Sequence, residues 1–369
     1  MNEWYHINNV NEIDSPALVV YPDRVKKNIG ILVSMIDDVK RLRPHVKTHK
    51  TKEAALLQME AGIGKFKCAT IAEADMLGSI KAPDVLLAYQ PLGPKADRLI
   101  ALIKKYPQTK YSCLIDDREV AGALAAAATE ATISLPVFID LNVGMNRTGI
   151  APGKDANELY QLCSTLSGID PVGLHCYDGH INSKDFEERK KQCDEAFAKV
   201  EEIKRELLNH GFAAPIIVAG GSPTFPIHAK RKEIECSPGT FIFWDGGYGE
   251  RLSEQPFLPA ALLISRVISH PSINLFCADL GHKSVAAERE TNSRVFFLNA
   301  PDLKPVSLSE EHLVLQTASI DIHKTGDVLY GLPFHICPTT ALYEKAFVVQ
   351  NEKVTGEWKI IARDRRIDI

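Results

Sequence analysis

The segment RPHVKTHK, residues 43–50, packs five cationic or protonatable side chains into eight positions: Arg43, His45, Lys47, His49 and Lys50. The whole chain is mildly acidic, with a formal net charge of −4. Positive charge gathered around an amine serves one of two ends. It attracts an anion such as a phosphate or a nucleic acid, or it lowers the pKa of a lysine that must react as a free amine. The acidic balance of the chain argues against a general affinity for nucleic acid.

Other reactive side chains come in short groups. Asp140 and Asn142 lie in FIDLN, and Arg147 follows in GMNRTG. His175, Tyr177, Asp178 and His180 fall together in LHCYDGH. In AGGSPT, Gly220 and Gly221 leave backbone N–H groups free to approach an anion, and Ser222 and Thr224 add hydroxyls. The same run also reads as an ordinary turn after a strand. In PFHICPTT, His335 and Cys337 are two apart, so an extended backbone puts both side chains on one face. Such a pair either packs as a buried His beside a core Cys or holds zinc or another borderline divalent ion. Two protein ligands are too few for a closed structural site and suit an open catalytic one.

The elements that must carry these groups alternate. Strand-like runs at 17–21, 44–48, 65–70, 84–89, 110–116, 136–142, 171–177, 215–221 and 233–239 are separated by amphipathic stretches such as 185–210. Repeated alternation of this kind predicts a parallel sheet and matches a (β/α)8 barrel. The series holds one strand more than a barrel needs, so one end of it belongs elsewhere. Barrel active sites lie where strands end. Lys47, Thr70, Tyr89, Asp140, the 175–180 group and the 220–224 loop all fall there. Beyond about residue 250 the runs are short and β-rich, with turn residues between them. The expected division is a barrel over 16–250 and an all-β domain over 251–369, joined by 1–15. A chain of 369 residues is long enough for both.

Hydrophobic content of 45% and charged content of 24% predict a folded, soluble protein. The opening residues have no basic n-region or apolar run, so no signal peptide is expected. No run approaches the roughly 18 apolar residues of a membrane span. Eight scattered cysteines without a CxxC pair predict reduced thiols and a cytoplasmic location. A reactive lysine combined with a glycine-rich phosphate loop points to pyridoxal 5'-phosphate (PLP).

Together these motifs resemble the fold-type III PLP enzymes of the D-threonine aldolase and D-serine dehydratase family, over nearly the whole chain. RPHVKTHKT resembles the family's PLP-lysine motif, which implies Lys47 as the Schiff-base residue. DLNVGMNRTG resembles the segment whose arginine, here Arg147, lies near the cofactor's phenolic oxygen. YDGH resembles the substrate-side motif, here Tyr177 and His180. GGSPT stands where the family holds the phosphate, which implies Gly220, Gly221, Ser222 and Thr224. HICPT is similar to the two-ligand metal motif, here His335 and Cys337.

The resemblance implies an α/β fold, an alanine racemase-like PLP-binding (β/α)8 TIM barrel with a C-terminal all-β domain, and a homodimer. It implies a PLP- and divalent-metal-dependent lyase on small D-β-hydroxy amino acids, with zinc, manganese or magnesium as the metal. The first expectation is D-threonine aldolase, which converts D-threonine to glycine and acetaldehyde. The alternatives are a zinc-dependent D-serine dehydratase and then an amino-acid racemase. Cys337 stands where the aldolases carry aspartate and looks like the dehydratases, whereas the following PTTALYE resembles the aldolase continuation.

Overall fold

A computed structural model describes residues 3–317 and 323–365, and the chain forms two compact units. One comprises the residues through Ile31, Thr48–Ala54 and Thr240–Arg363, and the other is chiefly Leu32–Lys47 and Ala55–Gly239.

The first strand, β1 (Ala17–Val20), is the supernumerary one and does not join the parallel series. That series is β2 (Lys65–Cys68), β3 (Asp84–Leu87), β4 (Lys110–Ile115), β5 (Leu135–Asp140), β6 (Ile169–Cys176), β7 (Ile216–Ala219) and β8 (Ile234–Cys236), each paired with the next. Polar caps turn the chain from strand into helix. Thr70 accepts from the Glu73 amide to start Ile71–Ser79, and the Glu73 carboxylate reaches back to the Ala69 amide at 2.6 Å. Asp117 caps Arg118–Glu130, and Asp185 caps Phe186–Asn209.

Residues 42–45 close the ring. Leu42 bridges Cys236 on β8, and His45 bridges Lys67 on β2, both in parallel sense. The backbone bonds are Arg43 N–H to Cys236 O at 2.8 Å, His45 N–H to Pro238 O at 2.9 Å and Lys67 N–H to Pro44 O at 2.9 Å. This eighth stave lies slightly before the strand expected at 44–48, whose Val46–Thr48 part is a 3-10 turn. Pro44 has no N–H to give, so the stave makes isolated bridges instead of a continuous ladder. Leu86, Leu114, Phe138 and Val218 form a buried cluster. Strand alternation places them on the face shared by Lys67, Asp140 and His175, inside the barrel.

The other unit is a mostly antiparallel sheet around the 12-residue strand Ala261–Ser272. β1 pairs with it in antiparallel sense and with Lys345–Gln350 in parallel sense. Tyr5, Ile7, Ile13, Val19, Tyr21, Leu262 and Tyr330 share one buried cluster, so the N-terminal residues complete this core. Among the described residues no helix is long and apolar enough to cross a membrane.

The closing stave is pinned by charge. The guanidinium of Arg43, 1% exposed, donates to Glu235 on β8 at 2.7 Å and to Asp84 on β3 at 2.5 Å. Lys65 on β2 pairs with the other oxygen of Glu235. Removing one partner of a buried ion pair strands the rest, at a cost of about 3–5 kcal/mol. Arg43→Met should therefore lower the unfolding free energy extrapolated from a urea titration by an amount in that range. Asp84→Ala should cost less, because the Asp84 side chain is 22% exposed and Glu235 keeps its partners.

Candidate active site

Lys47 sits in the 3-10 turn Val46–Thr48, directly after the closing stave. Its ammonium lies 5.8 Å from the centroid of the Tyr177 ring. The Lys67 ammonium lies 5.6 Å from the same centroid and the Arg147 guanidinium 5.0 Å. Lys47, Arg147 and Tyr177, singled out from separate motifs, thus share one place. The cations facing the ring with Lys47 are not its neighbours in sequence, as the run at 43–50 had suggested. Arg43 is spent on carboxylates. His45 Nδ1 accepts from the Lys47 amide at 3.2 Å. Burial drives the pKa of His49 down to about 3, so that ring carries no charge at neutral pH.

Lys67 is the residue that sequence reasoning missed. It is 3% exposed, and its amine lies 3.4 Å from His175 Nε2. His175 Nδ1 lies 2.7 Å from Asp140 Oδ1. A lysine amine can donate to Nε2, so Nδ1 carries the ring proton and donates to Asp140. Burial, then repulsion from Lys47, brings Lys67 down to about 7, against the pull of Asp140 and Asp178. Burial also lowers His175, partly opposed by Asp140. The signal available was alternation: Lys67 precedes Cys68 at a strand end, on the face that must be the interior.

The glycine loop follows β7. Gly220 has φ +76°, which favours glycine. A Cβ on Gly221 would lie 3.1 Å from Tyr177 Cε2, so the loop passes close to the ring. Ser222 Oγ accepts from the Gly239 amide at 3.3 Å. Thr224 Oγ1 does not point outward: it donates to Asp178 Oδ1 at 2.8 Å. The donor atoms of Asp178, Cys193 and His228, all buried, lie within 4.8 Å of one another. His180 packs on the 142–149 loop, where a Cβ on Gly144 would lie 2.6 Å from its Nε2.

His335 and Cys337 belong to the other unit. The extended reading holds for His335 only: it is the N-cap of a short helix, Ile336–Thr340, that contains Cys337. Pro338 stands in the first turn, where a missing N–H breaks no bond, and this was the available sign of a helix start. The two side chains still meet by hydrogen bonding. Cys337 Sγ also lies 3.1 Å from Thr48 Oγ1 and 3.6 Å from Thr240 Oγ1. The Glu288 carboxylate takes His335 Nδ1. Burial would lower His335, yet the bond and charge of Cys337, then Asp245 and Glu288, raise it to about 9. Asp245, 3% exposed, is itself pushed up to about 6 by burial. Asp245, Glu288 and His335 line a cleft of about 170 Å³. An imidazole nitrogen, a thiol sulfur and a carboxylate orienting the imidazole fit a divalent ion.

Two family models match the chain: "Alanine racemase, N-terminal domain" over residues 20–245 and "Putative serine dehydratase domain" over residues 260–349. The chain is 27% identical to a 3-hydroxy-D-aspartate aldolase of Paracoccus denitrificans, covering 96% of this chain and 93% of the relative. It is 26% identical to a D-threonine aldolase of Arthrobacter, covering 95% and 93%. The solved D-threonine aldolase of Filomicrobium marinum shares the fold, with a TM-score of 0.88 at 24% identity over 95% and 96% of the two chains. A cysteine-to-alanine mutant of D-threo-3-hydroxyaspartate dehydratase, solved in the metal-free form, does so with a TM-score of 0.82 at 22% identity over 94% and 97%.

The Lys67 shift carries a sign that can be measured. The folded chain gives up this proton at about pH 7, far below the ordinary lysine value of 10.5. The unfolded chain holds more protons between those values, so stability rises with pH across that window. The penalty is complete below pH 7 and fades toward 10.5. Lys67→Met should therefore raise the melting temperature of the cofactor-free protein most at pH 6 and least at pH 10. A mutant-minus-wild-type difference that stays flat with pH would contradict the depressed amine.

Proposed function

Because the chain belongs to the alanine racemase N-terminal-domain family of fold-type III PLP enzymes, we propose that it is a PLP- and divalent-metal-dependent lyase on D-β-hydroxy amino acids, acting first as a D-threonine aldolase. The observation that carries this reading is the His335–Cys337 pair with Glu288 on the same imidazole. Racemization needs only a base and an electron sink, whereas breaking a bond at Cβ gains from a Lewis acid on the β-hydroxyl. Both full-length relatives named above are aldolases of β-hydroxy amino acids. Cys337 favours a second reading, dehydration of D-serine or a D-3-hydroxy amino acid, since the resemblance places aspartate at this position in the aldolases.

When bound, PLP supplies an electron sink for the Cα bonds and the metal supplies Lewis acidity. Lys47 would hold the cofactor through its amine and would move the proton at Cα. Tyr177 and Arg147 would help hold the cofactor, the arginine supplying positive charge toward its phenolic oxygen, as the resemblance implies. Gly220 and Gly221 would let the phosphate approach the backbone closely, Ser222 would turn its hydroxyl to it, and Thr224 would shape their loop. His335 and Cys337 would hold the ion, with Glu288 fixing the imidazole's orientation. His180 takes the hydroxyl proton in the aldolase direction. The resemblance further implies that two such chains assemble as a homodimer.

Purified enzyme given PLP, a divalent metal and D-threonine should release glycine and acetaldehyde. Pyruvate from D-serine, or 2-oxobutanoate from D-threonine, would instead favour the dehydratase. Borohydride should fix the cofactor on Lys47, and Lys47→Ala should abolish both the visible band and turnover. Chelation, or Cys337→Ala, should abolish turnover and remove metal while leaving the band in place. Cys337→Asp should keep a site and shift preference from zinc toward manganese or magnesium, because a carboxylate is the harder ligand. Full lyase activity in chelator, with no metal detected, would overturn the metal reading.

A further inference from the structure

We propose that Asp178 and His228, backed by Arg231, are positioning residues that hold the Gly220–Thr224 loop in the shape that accepts the cofactor's phosphate. This rests on the reading of that loop as the phosphate site.

The Thr224 hydroxyl is fully engaged within the protein. It donates to Asp178 Oδ1 at 2.8 Å and accepts from the Gly221 amide at 3.3 Å. Its contribution to the loop is therefore conformational. Asp178 Oδ2 takes the other partner, His228 Nε2, at 2.8 Å. Behind it, Arg231 Nη1 lies 2.6 Å from His228 Nδ1, and Arg231 Nη2 lies 2.5 Å from Asp194 on the helix Phe186–Asn209. The loop rests directly on this chain of bonds. A Cβ on Gly220 would lie 2.7 Å from His228 Cδ2 and 2.9 Å from Thr224 Oγ1. The Gly220 amide also donates to Cys176 O at 3.2 Å, beside Tyr177.

Electrostatics decides between positioning and direct binding. Asp178 is 3% exposed. Burial alone would raise its pKa, but the hydrogen bonds it accepts from His228 and Thr224 work against burial, and it stays below the usual range. A buried carboxylate repels a phosphate and gives it no donor. With both oxygens occupied, its effect on the loop runs through Thr224 and His228.

Asp178 and His228, with Cys193, could be read as a metal cluster. Arg231 argues against that. A guanidinium only donates, so His228 Nδ1 must accept, and the ring proton sits on Nε2. Nε2 then has no lone pair for an ion. Arg231 Nη1 also donates to Cys193 Sγ at 3.5 Å.

The test compares PLP with pyridoxal, which lacks the phosphate, by spectroscopic titration of the full-length chain. His228→Leu should weaken PLP by about tenfold, the equivalent of one hydrogen bond's net worth. It should leave pyridoxal binding unchanged and shift the phosphorus resonance of bound PLP. His228→Gln, which keeps a donor toward Asp178, should restore most of the loss. Thr224→Val should reproduce the loss and stands in if His228→Leu fails to fold. Gly221→Val, run in parallel, tests the underlying reading: if it leaves the PLP-to-pyridoxal ratio at the wild-type value, the phosphate lies elsewhere. If Gly221→Val collapses that ratio while His228→Leu and Thr224→Val keep it, the loop reading stands and the positioning role is overturned. Loss of a bound metal equivalent on His228→Leu in the Cys337→Ala background would also overturn it.

Discussion

Lys67 places an amine inside a closed parallel barrel, facing an aromatic ring that Lys47 and Arg147 also face. Much of the barrel's design follows from managing that charge. The attraction of a cation to a ring is worth about 0.5–2 kcal/mol. Stripping water from an ion costs several kcal/mol even after relaxation. The ring therefore cannot hold three full charges by itself. The interior answers partly with Asp140, reached through His175, and partly by letting Lys67 fall to about 7. What remains is a surplus of positive potential that an anionic ligand would relieve. Asp140 and Asp178 offset it only in part, since against the pull of both Lys67 still falls to about 7.

How much of this was legible from sequence depended on whether a signal was local. Lys47, Arg147 and Tyr177 lie in short motifs at strand ends, and barrel topology alone sends strand ends to one face. The alternation of runs gave the barrel and its extra strand, but β1 joins the other sheet through Ala261–Ser272 and Lys345–Gln350, pairings more than two hundred residues apart. Lys67 was hidden because KFKC has the pattern of a strand with one wet face, and in a closed barrel that face is the interior. Arg43 carried the opposite trap. It stands in a cationic run yet serves as a structural ion for Asp84 and Glu235. His228 and Cys193 had no sequence signal linking them to Asp178, since the three meet only when the helix Phe186–Asn209 packs against the loop after β7.

The His335 pocket has the reverse electrostatic character. There the imidazole is surrounded by Cys337, Asp245 and Glu288, and its raised pKa measures how strongly those groups favour a cation. Placing His335 at an N-cap and Cys337 in the first turn fixes both on a short rigid element, with Asp245 Oδ2 accepting the Ile336 amide at 3.0 Å. A metal ion would replace the proton that His335 otherwise holds, so ion binding there should release a proton at neutral pH.

Each unit, taken by itself, is thus complementary to a different charge. The barrel gathers lysine and arginine around a ring beside a glycine loop, which suits an anionic cofactor. The β unit gathers thiol, imidazole and carboxylates, which suits a divalent cation. An enzyme that only moved a proton at Cα would need the first arrangement and gain little from the second, because no charge develops on a β-oxygen. Cleavage at Cβ does develop charge there: an alkoxide builds when the Cα–Cβ bond breaks, and a hydroxide departs when the Cβ–O bond breaks. Both reactions place negative charge on the same oxygen, so a Lewis acid at that oxygen would favour either. The choice between them lies in which substrate bond is aligned for cleavage.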